Sequence, residues 1–231
     1  MMTDKKSVRT SWSSVLAANT AAVQWGRAAE SLRKLQLYRD AATVFAAPGK
    51  SLHQARINCL VDGKNLLMPA PSLREGFFLL PARTVPYKNL SLAVTYKGLG
   101  KYGHLLKNTA AGALSVGLLL TDSLVVDPAG GRIGDGNGLF DLGCGLLQEL
   151  GALSQDYSAV TFILEEQISR DYLPQDPWDI KISGAITSAG WHAFNPPSQK
   201  PRIFWDQLAS DRIRRIDPLW KLYNRRISVK D

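Results

Sequence analysis

Between residues 114 and 150 the chain runs two apolar stretches, LSVGLLL and SLVVDP, into the glycine-rich string GGRIGDGNGLFDL at 130–142. A helix-like pattern then reaches Leu150 and stops at Gly151. Strand, glycine turn and helix in that order form the repeating step of a parallel sheet. The same alternation recurs on both sides. ATVFAAP (42–48), NLLMPAP (65–71) and GFFLLPA (76–82) read as strands, and AVTFILEE (159–166) and DIKISGAIT (179–187) supply two more. Strands this continuously apolar belong to a sheet covered on both faces. The expected fold is therefore α/β: three layers, a mostly parallel sheet flanked by helices, with ligands collecting beyond the carboxyl ends of the strands. The glycine loop is expected to follow a central strand.

Residues 14–37 read as two short helices, with Leu32, Leu35 and Tyr38 along one apolar face. Ser51 reads as the N-cap of a helix that runs through Leu60 and is stopped by Gly63. Residues 83–107, with Tyr87, Tyr96 and Tyr102 among Gly and Lys, have no clear period and read as an irregular loop covering the substrate. Beyond residue 190 the chain carries Pro196, Pro197 and Pro201 and then turns basic, so residues 1–190 are expected to form the α/β domain. Residues 191–231 are expected to be an extension packed on or extending from it, outside the sheet.

The loop itself suits an anion. Glycines at 134, 136 and 138 are able to take positive φ and let backbone N–H groups converge on a phosphate, and Arg132 adds a permanently charged, forked donor. ATP is the natural guest, and Asp141 follows where a carboxylate could hold Mg2+ against it. A tight turn between strand and helix has the same composition, and a short glycine motif does not separate the two.

Of the 231 residues, 45% are hydrophobic and 21% charged, the balance of one globular domain. No apolar run has the length of a membrane span and no signal-peptide core opens the chain, so the expected location is cytoplasmic. The net charge of +8 gathers at the ends: +2 from Lys5, Lys6 and Arg9 against Asp4, and +4 from residues 201–231. The run RIRRIDPLWKLYNRR reads as an amphipathic helix with Trp220 and Tyr223 against the body, and no nucleic-acid motif accompanies it. Cys59 and Cys144 fall in apolar helical patterns and read as buried thiols, with Cys144 as nucleophile the weaker alternative. His53, His104 and His192 stand singly, without zinc-ligand spacing. Glu165 and Glu166 end a strand, as solvated acids or as groups for proton transfer or a second metal contact. Trp178 and Trp191 suit either a heterocyclic ring or the C-terminal segment.

RIGDGNGLFD resembles the signature loop of the 5-formyltetrahydrofolate cyclo-ligase (methenyltetrahydrofolate synthetase) family. KKSVR at 5–9, ARINCLVDGKNLLMPAP at 55–71 and EEQISRDYLPQDPWDIKISGAIT at 165–187 resemble further segments of that family in the same order. The likeness is to a divergent branch, in which Arg-x-x-Trp (Arg9 to Trp12) and Asp-Leu after the loop are usual. It implies that ATP phosphorylates the formyl oxygen of 5-formyltetrahydrofolate, the neighbouring nitrogen attacks, and loss of phosphate leaves 5,10-methenyltetrahydrofolate. ATP contacts are implied for Lys5, Arg9, Arg132, Gly134, Gly136, Asn137 and Gly138, the Mg2+ contact for Asp141, and substrate contacts for Gln54, Leu139 and Phe140. The partners implied are ATP and a reduced folate or similar small molecule, without nucleic acid or membrane.

The departures bear on chemistry. Orthodox members carry a Lys between the second and third loop glycines and a Tyr pair before the Asp. Here Asn137, Leu139 and Phe140 stand instead, and Asp135 adds negative charge. The acidic residue that orthodox members present to the pterin is replaced around Leu52, His53 and Gln54. Losing one preorganised cation at a phosphoryl-transfer site costs a few kcal/mol in the transition state. Lys64 or Lys101 is the candidate replacement. The branch implies an alternative, a nucleotide- or pterin-binding paralogue without ligase activity and linked to thiamin metabolism; an RNA-associated module is a third reading.

Overall fold

The structure is a computed structural model and describes residues 4–18 and 25–228. Part of the helical reading over 14–37 falls at 19–24 and lies outside the described residues. Three helices open the chain: α1 (Lys5–Ala18), α2 (Trp25–Arg33) and α3 (Gln36–Asp40). Then come β1 (Thr43–Ala46), α4 (His53–Val61), β2 (Asn65–Pro69) and β3 (Phe77–Leu80). The segment expected to be irregular holds α5 (Leu90–Ala93), α6 (Tyr96–Tyr102) and β4 (His104–Leu105). After α7 (Asn108–Ala111) follow β5 (Val116–Asp122), β6 (Val125–Val126), β7 (Arg132–Ile133), α8 (Leu139–Glu149) and β8 (Leu153–Phe162). β9 (Gly184–Ile186), β10 (Trp191–Ala193), α9 (Ser210–Arg215) and α10 (Asp217–Ser228) complete it.

Eight strands form one sheet in the order β10-β9-β8-β5-β1-β2-β3-β4. The run from β9 through β8, β5 and β1 to β2 is parallel, while β10, β3 and β4 join antiparallel at the two sides. β5 divides the core, with an irregularity in its pairing between Val116 and Leu118 that puts those two residues on opposite faces. Leu118 and Leu120 pack with α2, α4 and α5, through Leu32, Leu60 and Ala93 among others. Leu119 and Val116 face α8 and the C-terminal helices, through Leu146, Ile213 and Leu219. This is the expected three-layer α/β arrangement. Among the described residues no helix is long and apolar enough to cross a membrane.

Several expectations need correction. SLVVDP does not form a main-sheet strand: β6 pairs antiparallel with β7 in a separate hairpin, which the buried Asp127 holds by accepting 2.8 Å hydrogen bonds from the N–H groups of Ala129 and Gly131. The glycine loop therefore leaves this hairpin, and β5 is the central strand behind it. Ser51 is not an N-cap; a 3-10 turn over Lys50–Leu52 precedes α4, and the Ser51 hydroxyl donates to Asp122 Oδ2 at 3.1 Å. Residues 90–102 are largely helical and buried through Leu90, Ala93, Val94 and Leu99, not irregular.

The boundary expected at residue 190 does not separate the tail from the sheet. Trp191–Ala193 pairs with β9 as an edge strand, and Ile203, Ile213, Ile216 and Leu219 are buried in the core behind α8. The basic run is two helices rather than one, because Pro218 lacks the N–H that would continue α9.

Candidate functional site

The carboxyl ends of β1, β2, β5 and β8 open on a cavity of about 710 Å³. Phe45, Phe140 and Phe162 contribute aromatic wall, with the rings of Phe45 and Phe140 stacked 6.0 Å apart at 25°. At the strand ends, Asp122 and Ser51 provide polar groups. A second cavity of about 290 Å³ lies on the α1 side of the loop, lined by Lys5, Arg9, Asp141, Asp176, Trp178 and Asp179. Arg132, Gly134, Asp135, Leu139 and Phe140 border both.

The loop's backbone follows from its glycines. Gly136 and Gly138 take φ of 93° and 60°, left-handed values that a side chain would strain, and Gly138 turns the chain into α8. Gly134 does not take positive φ as expected; its carbonyl accepts from Arg9 Nε at 3.1 Å, which fastens the loop to α1. Arg212 of α9 holds the other side by donating to the Asn137 carbonyl at 2.6 Å.

Charge inside the site is largely paired. Arg132 is 6% exposed, donates through Nη2 to Asp141 Oδ1 at 2.7 Å, and lies 4.6 Å over the Phe140 ring. Its Nε is buried without an acceptor. Asp141 Oδ1 also accepts from the Ile180 N–H at 2.9 Å, while among the described residues nothing donates to Oδ2. Lys5 bridges Asp176, at 2.6 Å, and Asp179.

Several sequence-derived assignments land elsewhere. Asn137 borders neither cavity; its N–H and its amide both donate to the Asp135 carboxylate, at 2.9 and 2.8 Å. Gln54 also misses both, because the 3-10 turn before α4 places Ser51 at the cavity and leaves Gln54 to donate to Asn58 at 2.8 Å. Lys64 cannot replace the loop cation: its ammonium binds the carbonyls of Arg39 and Ala41 at the opposite end of β1. Lys101 borders neither cavity and sits 5.3 Å from the Tyr102 ring.

Burial raises the Cys144 thiol well above its ordinary range and pushes Cys59 up to about 12, so both are protonated core groups at neutral pH. For Glu165, burial works upward, but hydrogen bonds from Thr187 and His192 outweigh it and hold the carboxyl below its ordinary value. Glu165 and Glu166 border neither cavity. Trp178 lines the smaller cavity edge-on to Phe204, whereas Trp191 packs over Gly184 in the sheet.

Tyr96, from the segment expected to cover the substrate, lines the larger cavity, as do Asp122, Trp25 and Gln167, which were not among the expected site residues. A signal existed for Asp122 alone: it is the first charged residue after the apolar run of the central strand, at the end where ligands collect.

The sequence profile of the 5-formyltetrahydrofolate cyclo-ligase family matches residues 2–188. The chain belongs to that family. A Bos taurus protein named methenyltetrahydrofolate synthase domain-containing protein is 33% identical over 147 residues, 62% of this chain and 37% of that protein. The Homo sapiens protein of the same name is 26% identical over 201 residues, 84% of this chain and 51% of that protein. The chain thus spans about half the length, or less, of the curated relatives it matches. Solved 5,10-methenyltetrahydrofolate synthetases from Aquifex aeolicus and Mycoplasma pneumoniae align with TM-scores of 0.56 and 0.51 at 15% and 12% identity. They cover 88% and 80% of this chain and 99% and 98% of their own. At such identities the likeness shows the fold, a cyclo-ligase-like α/β sheet.

Proposed function

We propose that the chain binds ATP in the smaller cavity and 5-formyltetrahydrofolate or a related reduced pterin in the larger one, and that it forms 5,10-methenyltetrahydrofolate slowly or not at all. The wall shared by the two cavities carries this reading. Arg132, Gly134, Asp135, Leu139 and Phe140 border both, so a phosphoryl donor on one side and an acceptor oxygen on the other meet at one guanidinium. Phosphoryl transfer asks little of a protein beyond such positioning and charge.

The residues fit a polyphosphate. Arg132 Nε lacks an acceptor, and the loop delivers its N–H groups at the N-terminus of the 11-residue helix α8, where the backbone dipole favours anions. They also fit Mg2+, which is commonly held by one or two carboxylates together with phosphates. Asp141 Oδ2 would hold it, with Arg132 orienting the carboxylate through Oδ1. The ion, when bound, neutralises phosphate charge. Both ligands are soluble, in keeping with the cytoplasmic location expected of the chain.

Slow turnover follows from the charges. Asp135 borders both cavities, Asn137 is uncharged, and the Lys5 ammonium is engaged by two carboxylates. Missing one transition-state cation lowers the rate by roughly a hundredfold or more. Calorimetry with ATP-Mg and with 5-formyltetrahydrofolate, followed by absorbance of the methenyl product, tests the reading. Both ligands are expected to bind, with little product; binding of neither overturns it.

A further inference from the structure

Asp122 is the last residue of the central strand β5 and places its carboxylate at the larger cavity, among walls that are otherwise mostly apolar. The backbone is arranged around it. A Cβ built on Gly49 would lie 1.8 Å from Asp122 Oδ2, so the turn after β1 admits this carboxylate only because residue 49 has no side chain. Oδ2 accepts from the Ser51 hydroxyl at 3.1 Å, and among the described residues no donor meets Oδ1.

Arg56 completes the arrangement without consuming the carboxylate. It is 3% exposed and donates to the carbonyls of Ala47 and Gly49 at 2.6 and 2.9 Å, and to Val94 at 3.1 Å. Its charge attracts Asp122 through space, with no hydrogen bond between them. The guanidinium thus fixes the turn that packs on Asp122 and leaves Oδ1 without a donor among the described residues and Oδ2 with a lone pair beyond the Ser51 bond, enough for a paired contact. A carboxylate in an aromatic-walled pocket selects a flat ring bearing N–H donors on one edge, because it accepts charge-assisted, often paired, hydrogen bonds.

We infer that Asp122 orients the ligand of the larger cavity by accepting hydrogen bonds from the amino group and ring N–H of a 2-aminopyrimidine-type edge. The inference rests on the proposed occupancy of that cavity by a reduced folate or pterin, and it adds the residue that reads the ring. Gln54 sits outside the cavity, and Asp122 supplies an acidic partner from the sheet instead of the helix.

The test is calorimetric titration of the full chain with 5-formyltetrahydrofolate and with its analogue carrying hydrogen in place of the 2-amino group. Wild-type protein is expected to bind the parent on the order of tenfold or more tightly than the analogue, the worth of a hydrogen bond to a charged group. Asp122→Asn and Asp122→Ser are expected to lose parent affinity by a similar factor while binding the analogue almost unchanged. Equal wild-type affinity for the two compounds overturns the inference even if neither variant folds, and so does a variant that keeps both parent affinity and preference. In those cases the folate reading stands. Failure of wild-type protein to bind either compound overturns that reading and the inference with it.

Discussion

Arg132 and Asp141 are joined at 2.7 Å across the start of α8, with side chains 6% and 13% exposed and the Phe140 ring beneath the guanidinium. The pair fixes both the donor that faces the two cavities and the carboxylate proposed to hold the metal. Arg132→Ala is expected to weaken ATP-Mg binding by on the order of ten- to a hundredfold, the value of a charge-assisted contact. It is also expected to destabilise the fold by about 3 kcal/mol, because Asp141 is left without its counter-ion. Calorimetry and denaturant unfolding read the two effects. Arg132→Lys should recover little, since an ammonium reproduces neither the fork nor the ring contact.

The C-terminal helices are predicted to be indispensable to folding. Leu219 is fully buried in the core behind α8, so Leu219→Ala is expected to cost about 2–5 kcal/mol in denaturant unfolding. A detachable extension would tolerate the change with no loss.

Neither thiol is expected to react with a thiol-specific dye at pH 8 until the protein unfolds. Both cysteines are fully buried and their thiols are raised above their ordinary range, Cys59 to about 12. Two equivalents of dye should be taken up in denaturant. Fast native labelling of Cys144 would revive it as a nucleophile.

Glu165, held below its ordinary value by Thr187 and His192, supplies stability that is complete above its unfolded pKa of about 4.3 and fades as pH falls through the lower folded value. The wild-type advantage over Glu165→Gln in thermal melting is therefore expected near pH 7 and should vanish toward pH 3. The effect is small, because the carboxylate is 41% exposed and screened. An advantage that persists at low pH contradicts this origin.

The parallel sheet was legible because Val44 to Ala46, Leu66 to Met68 and Leu118 to Leu120 are continuous apolar runs, as strands covered on both faces must be. The loop was legible through its glycines and Arg132. Where one residue decides the outcome, the pattern misled. Thr95 caps α6 by accepting from the Gly98 N–H at 3.3 Å, but helices of four and seven residues are too short to display a period. Ser51 has the chemistry of an N-cap and turns instead to Asp122, a partner 71 residues away that no local pattern announces. The strand at 191–193 is short and soon followed by Pro196 and Pro197, and only its pairing with β9 identifies it.

On the proposed reading, this site binds both ligands and lacks a cation for transfer. The rate of methenyl product formation, measured with saturating ATP-Mg and 5-formyltetrahydrofolate for wild type, Asn137→Lys and Asn137→Lys with Asp135→Gly, tests it most directly. The bond from Arg212 goes to the backbone carbonyl of Asn137, so the substitution leaves the loop's anchor in place. Asn137 itself borders neither cavity, but its neighbours Gly136 and Gly138 line the smaller one, so the longer lysine side chain is expected to reach the bound phosphates, raising kcat with little change in ATP affinity. Wild-type protein is expected to turn over weakly or not at all. Robust wild-type turnover, unimproved by the added lysine, would contradict the claim.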